Sequence, residues 1–189
     1  MNVFDFDKTI FYPDSSAVFI RFLTLRHPLA AARNIPYLMV KSIRCVAKSF
    51  QAKEIKEGLF GMLRFISDPS EEIKMFWERY RCNIGSWYKD VHKDNDIIIT
   101  ASPEFLIKPI GHELGCCVLG TVMDINTGRI KGLNCHDSEK VRRYHEVFGD
   151  AQIDEFYSDS LSDSPLAEIS KNAFMVMKGT VNPWPDSGF

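Results

Sequence analysis

At 189 residues, with 45% hydrophobic and 25% charged residues, the chain has the length of one domain or of a core with a modest insertion. This is the balance of a globular protein, not a disordered or fibrous one. A formal net charge of −2 leaves no overall basic field, which argues against a general nucleic-acid binder. The five cysteines show neither a disulfide-like spacing nor a C-x-x-C zinc pair, so reduced thiols in a cytoplasmic protein are expected.

Residues 2–7 read as a buried strand with Asp5-Phe6-Asp7-Lys8-Thr9 at its end. Two carboxylates at i and i+2 project to the same side of a strand. Crowded acids repel unless a cation or a reaction uses them, although Asp-x-Asp also serves ordinary turns and caps. A cleaved leader would remove this motif, and no run of about 18 apolar residues occurs; neither a secretion signal nor a spanning helix is expected.

From Pro13 to about Lys93 the apolar pattern is helical. Val18, Phe19, Phe22 and Leu23 form one stripe, ended near His27-Pro28. Ile35, Leu38, Met39, Ile43, Val46, Ala47 and Phe50 form a second, and Ile55, Leu59, Met62, Leu63 and Ile66 a third. Asp68-Pro69-Ser70-Glu71 supplies a capping aspartate, a first-turn proline and an acid at the positive end of a helix that buries Ile73, Phe76, Trp77 and Tyr80. Arg21, Arg26, Arg33, Lys41, Arg44 and Lys48 intersperse the first two stripes. Either the apolar stripe packs inside and the cations are its wet face, or together they make a basic amphipathic surface for anionic lipid.

The period then changes. Residues 96–101 are a β-branched run of buried-strand type. Ser102-Pro103-Glu104 opens a helix reaching about Leu114, with Ser102 readable as its N-cap. Residues 116–119 make a further strand, and 121–125 and 129–133 flank Asn126-Thr127-Gly128 as a hairpin. A helix over 138–148, strands over 154–158 and 174–177, a short helix opening at Ser164-Pro165 and a loop over 181–189 complete the chain. This alternation predicts an α/β fold, a Rossmann-like parallel sheet covered on both faces. The helical stretch after the first strand is too long for a crossover. The expected division is therefore a core of 1–12 and 94–189 and a helical cap of 13–93. Ligands in such sheets bind beyond the carboxyl ends of the strands.

Four polar signals fall at those ends. The first is Asp5 and Asp7. The second is Thr100, followed by Ala101, whose position beside a helix N-terminus suits phosphate. Lys140 is the third: a lysine early in a helix opposes the dipole, which an anionic partner would explain, though a solvated lysine is the plain alternative. The fourth is Phe156-Tyr157-Ser158-Asp159-Ser160-Leu161-Ser162-Asp163, whose two acids could cap turns or help hold a hard cation such as Mg²⁺.

The ordered set, Asp-x-Asp-x-Thr, strand-ending Thr, Lys, then Asp-x-x-x-Asp, resembles the haloacid-dehalogenase superfamily of phosphohydrolases, in its phosphoserine-phosphatase-like branch. The resemblance runs from Val3 to about Pro183. It implies Mg²⁺-dependent hydrolysis of a phosphomonoester through an aspartyl-phosphate, with Asp5 as nucleophile and Asp7 as general acid and base. It also implies Mg²⁺ held by the Asp5 carboxylate, the Asp7 carbonyl and Asp159, and phosphate bound by Thr100, Ala101 and Lys140. Asp163 would act on metal-bound water or on Lys140. Lys8 and Ser158 stand where many members have glycine. The substrate expected is a small phosphorylated metabolite. Some bacterial members act on phosphatidylglycerophosphate, so a lipid phosphate met by peripheral membrane contact is the alternative, and the oligomeric state is left open. A cysteine phosphatase is excluded, since Cys135 is followed at the required spacing by Val141 and not by arginine. A phospho-accepting signalling domain would place its aspartate after a mid-chain strand and lack the helical insertion.

Overall fold

In the computed structural model, which describes residues 1–47 and 52–185, strand β1 (Asn2–Phe4) lies within a six-stranded sheet. The others are β2 (Ile97–Pro103), β3 (Cys117–Thr121), β4 (Ile153–Ser158), β5 (Ser170–Met177) and β6 (Thr180–Pro183). Their order is β3-β2-β1-β4-β5-β6, with β1 to β5 parallel and β6 antiparallel to β5. This is the expected α/β fold. Helices α6 (Glu104–Glu113), α7 (Ser138–Phe148) and α8 (Ser164–Glu168) connect successive strands.

Adjacent strand residues point to opposite faces, and both faces are covered. Val3, Ile97, Ile99 and Phe156 join Tyr144 of α7 and Leu166 of α8 in one cluster. Phe4, Ile98 and Tyr157 join Leu106 and Ile107 of α6 and the aromatic residues of the insertion in the other. A strand buried on both sides needs apolar residues in succession, which is why Ile97-Ile98-Ile99 does not alternate.

Between β1 and β2 lie α1 (Ser15–Arg26), α2 (Pro28–Ala47), α3 (Ala52–Phe60), α4 (Pro69–Tyr80) and α5 (Ser86–Val91). Asp14 caps α1 by accepting Ala17 N at 2.8 Å, and Asp68 caps α4 by accepting Glu71 N at 3.0 Å. Phe19 and Phe22 of α1 pack on Phe76 of α4 at ring separations of 5.2 and 5.8 Å. Trp77 Nε1 donates to the Leu106 carbonyl at 2.6 Å and ties α4 to α6. At the end of α3 a tight turn presses against the Phe60 carbonyl; Gly128 sits there with φ +67°, where a Cβ would collide with that backbone.

Helices α2 and α3 depart from expectation. Of the second apolar stripe, Ile35, Met39 and Ile43 face outward, exposed by 53, 60 and 68%. Lys41, expected among the surface cations, is buried instead, its ammonium held by Glu54 at 2.7 Å and by Glu57. Glu57 also accepts Ile130 N at 2.9 Å, and Asn34 donates to the Gly58 carbonyl at 2.8 Å. Buried polar groups must be paired, so this network fixes the rotation of α2 and turns its apolar residues out. Ile55 and Leu59 of the third stripe are also exposed, while Met62, Leu63 and Ile66 are buried. Arg26 pairs with Glu72 at 2.7 Å. Lys48 and Phe50 lie outside the described residues.

Three smaller corrections concern the core. The hairpin after Thr121 is a single bridge, Met123 to Ile130, because Thr121 itself belongs to β3. Of the loop expected over 181–189, residues 181–183 belong to β6, and 186–189 lie outside the described residues. Lys178 and Gly179, with φ of +51° and +82°, make the two-residue turn with positive φ at both positions that joins antiparallel strands. Lastly, β2 runs through Pro103, which pairs with Thr121 beyond a register shift, so α6 starts at Glu104 and Ser102 is not its cap.

Candidate active site

The six side chains singled out by the sequence, Asp5, Asp7, Thr100, Lys140, Asp159 and Asp163, line one cleft of about 250 Å³ together with Ala101. Lys8, Asp14 and His136 share it. Each comes from the carboxyl end of a strand or the element just after it. Asp5 follows β1 and donates its backbone N–H to the Tyr157 carbonyl at 2.8 Å. Thr100 sits in β2, and Asp159 follows β4.

Lys140, in the first turn of α7, reaches Asp5 Oδ1 and Asp163 Oδ2, both at 2.7 Å. It is 2% exposed, so the anionic partner that its position in the helix called for is present twice. Burial opposes the Lys140 charge, but Asp5 and Asp163 outweigh it and hold the ammonium above the ordinary lysine value. Ser158 Oγ donates to the same Asp163 oxygen at 2.7 Å and accepts Ser160 N at 3.1 Å. The serine found where glycine is common therefore helps to hold Asp163.

Asp7 is held differently. Its Oδ1 accepts Ser15 N at 2.6 Å, at the start of α1, and its Oδ2 accepts Ser102 Oγ at 2.5 Å. Ser102 also meets Ser16 Oγ at 2.7 Å and Ser15 Oγ at 3.1 Å. The serine expected to cap a helix thus joins the core carboxylate to the insertion. Its local pattern, Ser-Pro-Glu after a strand, is common to both roles, and only the long-range partner tells them apart.

Thr9, fully buried, accepts Asp159 N at 3.0 Å. Its place in the opening motif was legible, but its task was not. Lys8 stands between them with φ +61°, a left-handed conformation that explains why glycine suits the position. Lys56 of α3 had no sequence signal. Its ammonium donates to the Ala101 carbonyl at 2.7 Å and to Asn134 Oδ1 at 2.8 Å, and burial lowers its pKa against the pull of Asp7 and Asp14. Thr121 Oγ1 donates to the same carbonyl at 2.6 Å.

Burial pushes the Asp5 carboxyl up to about 7; Lys140 opposes the rise, and Asp163 and Asp7 add to it. Asp7 is raised by burial and by Asp14, against its hydrogen bonds from Ser102 and Ser15. Asp159 is raised by burial, opposed chiefly by Lys8. Three carboxyls shifted toward their neutral forms mark a place where negative charge accumulates unless a cation enters. Among the described residues no group of three or more His, Cys, Asp or Glu side chains is arranged to hold a metal. Mg²⁺ requires less: one or two carboxylates, other oxygen donors and water. Asp5 and Asp159 bring two carboxylates into this cleft, so the chemistry of the donor set fits this ion.

The architecture agrees with comparisons to known proteins. The haloacid dehalogenase-like hydrolase family model matches residues 3–168. Protein CicA of Caulobacter vibrioides is 25% identical over 93% of this chain and 86% of its own. A protein of unknown function from Bordetella pertussis Tohama I has a similar structure, with a TM-score of 0.73 and 23% identity over 98% of this chain and 91% of its own. A phosphoserine phosphohydrolase-like protein from Francisella tularensis subsp. tularensis SCHU S4 shares the fold at a TM-score of 0.56 and 16% identity, covering 95% of this chain and 88% of its own. With its family model spanning β1 to α8 and this cleft at the strand ends, the chain belongs to the haloacid dehalogenase-like hydrolases.

Proposed function

We propose that this hydrolase cleaves phosphomonoesters with Mg²⁺ through a phosphorylated Asp5. The observation that carries the reading is the convergence of Asp5, Asp7, Lys140 and Asp159 in a single cleft, with Lys140 Nζ 2.7 Å from Asp5. Lys140 holds Asp5 Oδ1, and the other carboxylate oxygen attacks phosphorus. The ester P–O bond breaks as the new one forms. Asp7, whose pKa burial raises, gives a proton to the departing alcohol. Water then attacks the same phosphorus and returns a proton to Asp7, freeing phosphate and the Asp5 carboxylate. Ser15 and Ser102 keep the Asp7 carboxyl oriented through both halves. Mg²⁺, bound by Asp5, Asp159 and the Asp7 carbonyl, would neutralise the phosphate so that an anionic nucleophile can approach it. Thr100, Ala101 and Lys140 would bind the phosphoryl oxygens, and Asp163 positions Lys140.

Residues 13–93 act as a cap that selects the alcohol, since the cleft groups recognise little beyond phosphate. Release of phosphate from p-nitrophenyl phosphate should require Mg²⁺ and vanish in Asp5→Asn. Turnover that persists in excess chelator removes the metal role, and a fully active Asp5→Asn protein removes the nucleophile. A stable, unhydrolysed phospho-Asp5 would identify a signalling receiver instead.

A further inference from the structure

A second cavity, of about 410 Å³, lies beside the cleft and shares Asp14 with it. Ala17, Ile20, Ile55, Leu59 and Phe60 give it apolar walls. Its polar groups are largely engaged: Asp14 caps α1, and Lys56 is bonded to Ala101 O and Asn134. A third cavity, of about 380 Å³, shares Ile20 and Leu59 with the second and is lined by Ile35 and Leu38 of α2. These apolar cavities thus adjoin the phosphate cleft at Asp14 and each other at Ile20 and Leu59, and they reach Ile35 of α2. A polar alcohol such as that of phosphoserine would lose water there without gaining partners. A hydrocarbon would gain burial.

We propose that these cavities receive the alcohol, and that the substrate is a phosphomonoester carrying a hydrocarbon chain. This rests on the hydrolase reading above. The test compares kcat/KM for ethyl, butyl and octyl phosphate and for phosphoserine. Full burial favours each methylene by roughly fourfold, so octyl phosphate should exceed ethyl phosphate by at least about tenfold. In Ile55→Glu, at an exposed position that tolerates charge for folding, the octyl-to-ethyl ratio should fall to near 1. A flat chain-length series, or a preference for phosphoserine, overturns this inference alone. No turnover of any monoester overturns the hydrolase reading instead.

A separate observation concerns the outer face of α2. At about 3.6 residues per turn, Leu29, Ile35, Met39, Val40 and Ile43 share one side of that helix, and all are exposed, Leu29 by 75%. Arg33 and Arg44 border them, and Arg21 is exposed on α1. No aspartate or glutamate occurs between Asp14 and Glu54, although the whole chain carries −2. A symmetric contact between two copies would bring Arg33 and Arg44 against like charge. An anionic lipid surface complements both the apolar stripe and its cationic border.

We infer that α2 docks on an anionic membrane surface. Vesicles of phosphatidylcholine with about one-third phosphatidylglycerol should carry the protein in flotation, less so at high salt. Pure phosphatidylcholine vesicles should not, and Met39→Glu/Ile43→Glu should lose flotation. Absence of binding to anionic vesicles, or a dimer in solution that Met39→Glu/Ile43→Glu dissociates, overturns the inference.

Discussion

Among the described residues two lysines are buried, and each lies between two carboxylates. Lys140 joins Asp5 and Asp163 at the carboxyl end of the sheet, and Lys41 joins Glu54 and Glu57 between α2 and α3. Both are held protonated by their acids in spite of burial. The difference is what lies beside them. Lys140 borders a cleft with Asp7 and Asp159, so its charge acts on whatever enters. Lys41 lines none of the described cavities, and its effect is on the helix that carries it, whose apolar face it turns outward. The same triad therefore borders a cleft in one place and orients a helix in the other.

Removing each lysine separates these roles. Lys41→Met leaves Glu57 buried without its cation and should lower stability by about 3–5 kcal/mol in urea unfolding. Turnover of p-nitrophenyl phosphate per folded molecule should change little. Adding Glu57→Gln should restore most of the loss, because the glutamine keeps an acceptor for Ile130 N. A stable Lys41→Met protein would mean that packing alone sets the rotation of α2.

Lys140→Met should instead lower turnover by about 10²–10³-fold. Its stability loss in Mg²⁺ should be smaller than that of Lys41→Met, since a cation and water can reach Asp5 from the cleft. Equal stability losses with retained turnover would make the two triads equivalent and remove the comparison.

The third expectation concerns protons. Folding raises Asp5 from 3.8 to about 7, so the folded state keeps a proton that the unfolded chain releases. That contribution is complete below pH 4 and is lost as pH rises through 7. In chelator, Asp5→Asn should therefore gain stability over the parent between pH 5 and pH 8, on the order of 1 kcal/mol. Mg²⁺ should shrink the gain. An offset between the two proteins that is the same at both pH values would show that Asp5 is not raised.

Much of the sheet end was legible because its signals are local. The helix expected over 138–148 is α7 (Ser138–Phe148), and Lys140, for which the dipole left an anionic partner or a solvated surface open, meets two carboxylates. The α/β alternation and the long insertion were also readable from period alone. The orientation of α2 was not. Periodicity shows that a helix has an apolar stripe, but the side that faces inward is decided here by Lys41 meeting residues 13 and 16 positions away. Ser102 and Lys56 were missed for the same reason. Their partners, Asp7 and Asn134, lie 95 and 78 residues distant in sequence, and no local pattern records such pairings.

The smallest effect tests the backbone of the cleft at Lys8. Its φ of +61° is unfavourable for an L residue with a Cβ, whereas glycine adopts it freely at the expense of unfolded-chain entropy. The two terms nearly offset, so Lys8→Gly should gain a few tenths to about 1 kcal/mol in urea unfolding. Lys8→Val, β-branched in the same conformation, should lose more than about 1 kcal/mol. Charge is a distinct matter, because Lys8 is the main group opposing the rise of Asp159. Lys8→Gln removes the ammonium and keeps the side-chain strain. If Gly and Gln raise the Mg²⁺ concentration needed for half-maximal turnover alike, the ammonium supports the ionised Asp159. If only the stability of the Gly variant changes, the residue matters to this cleft through its backbone.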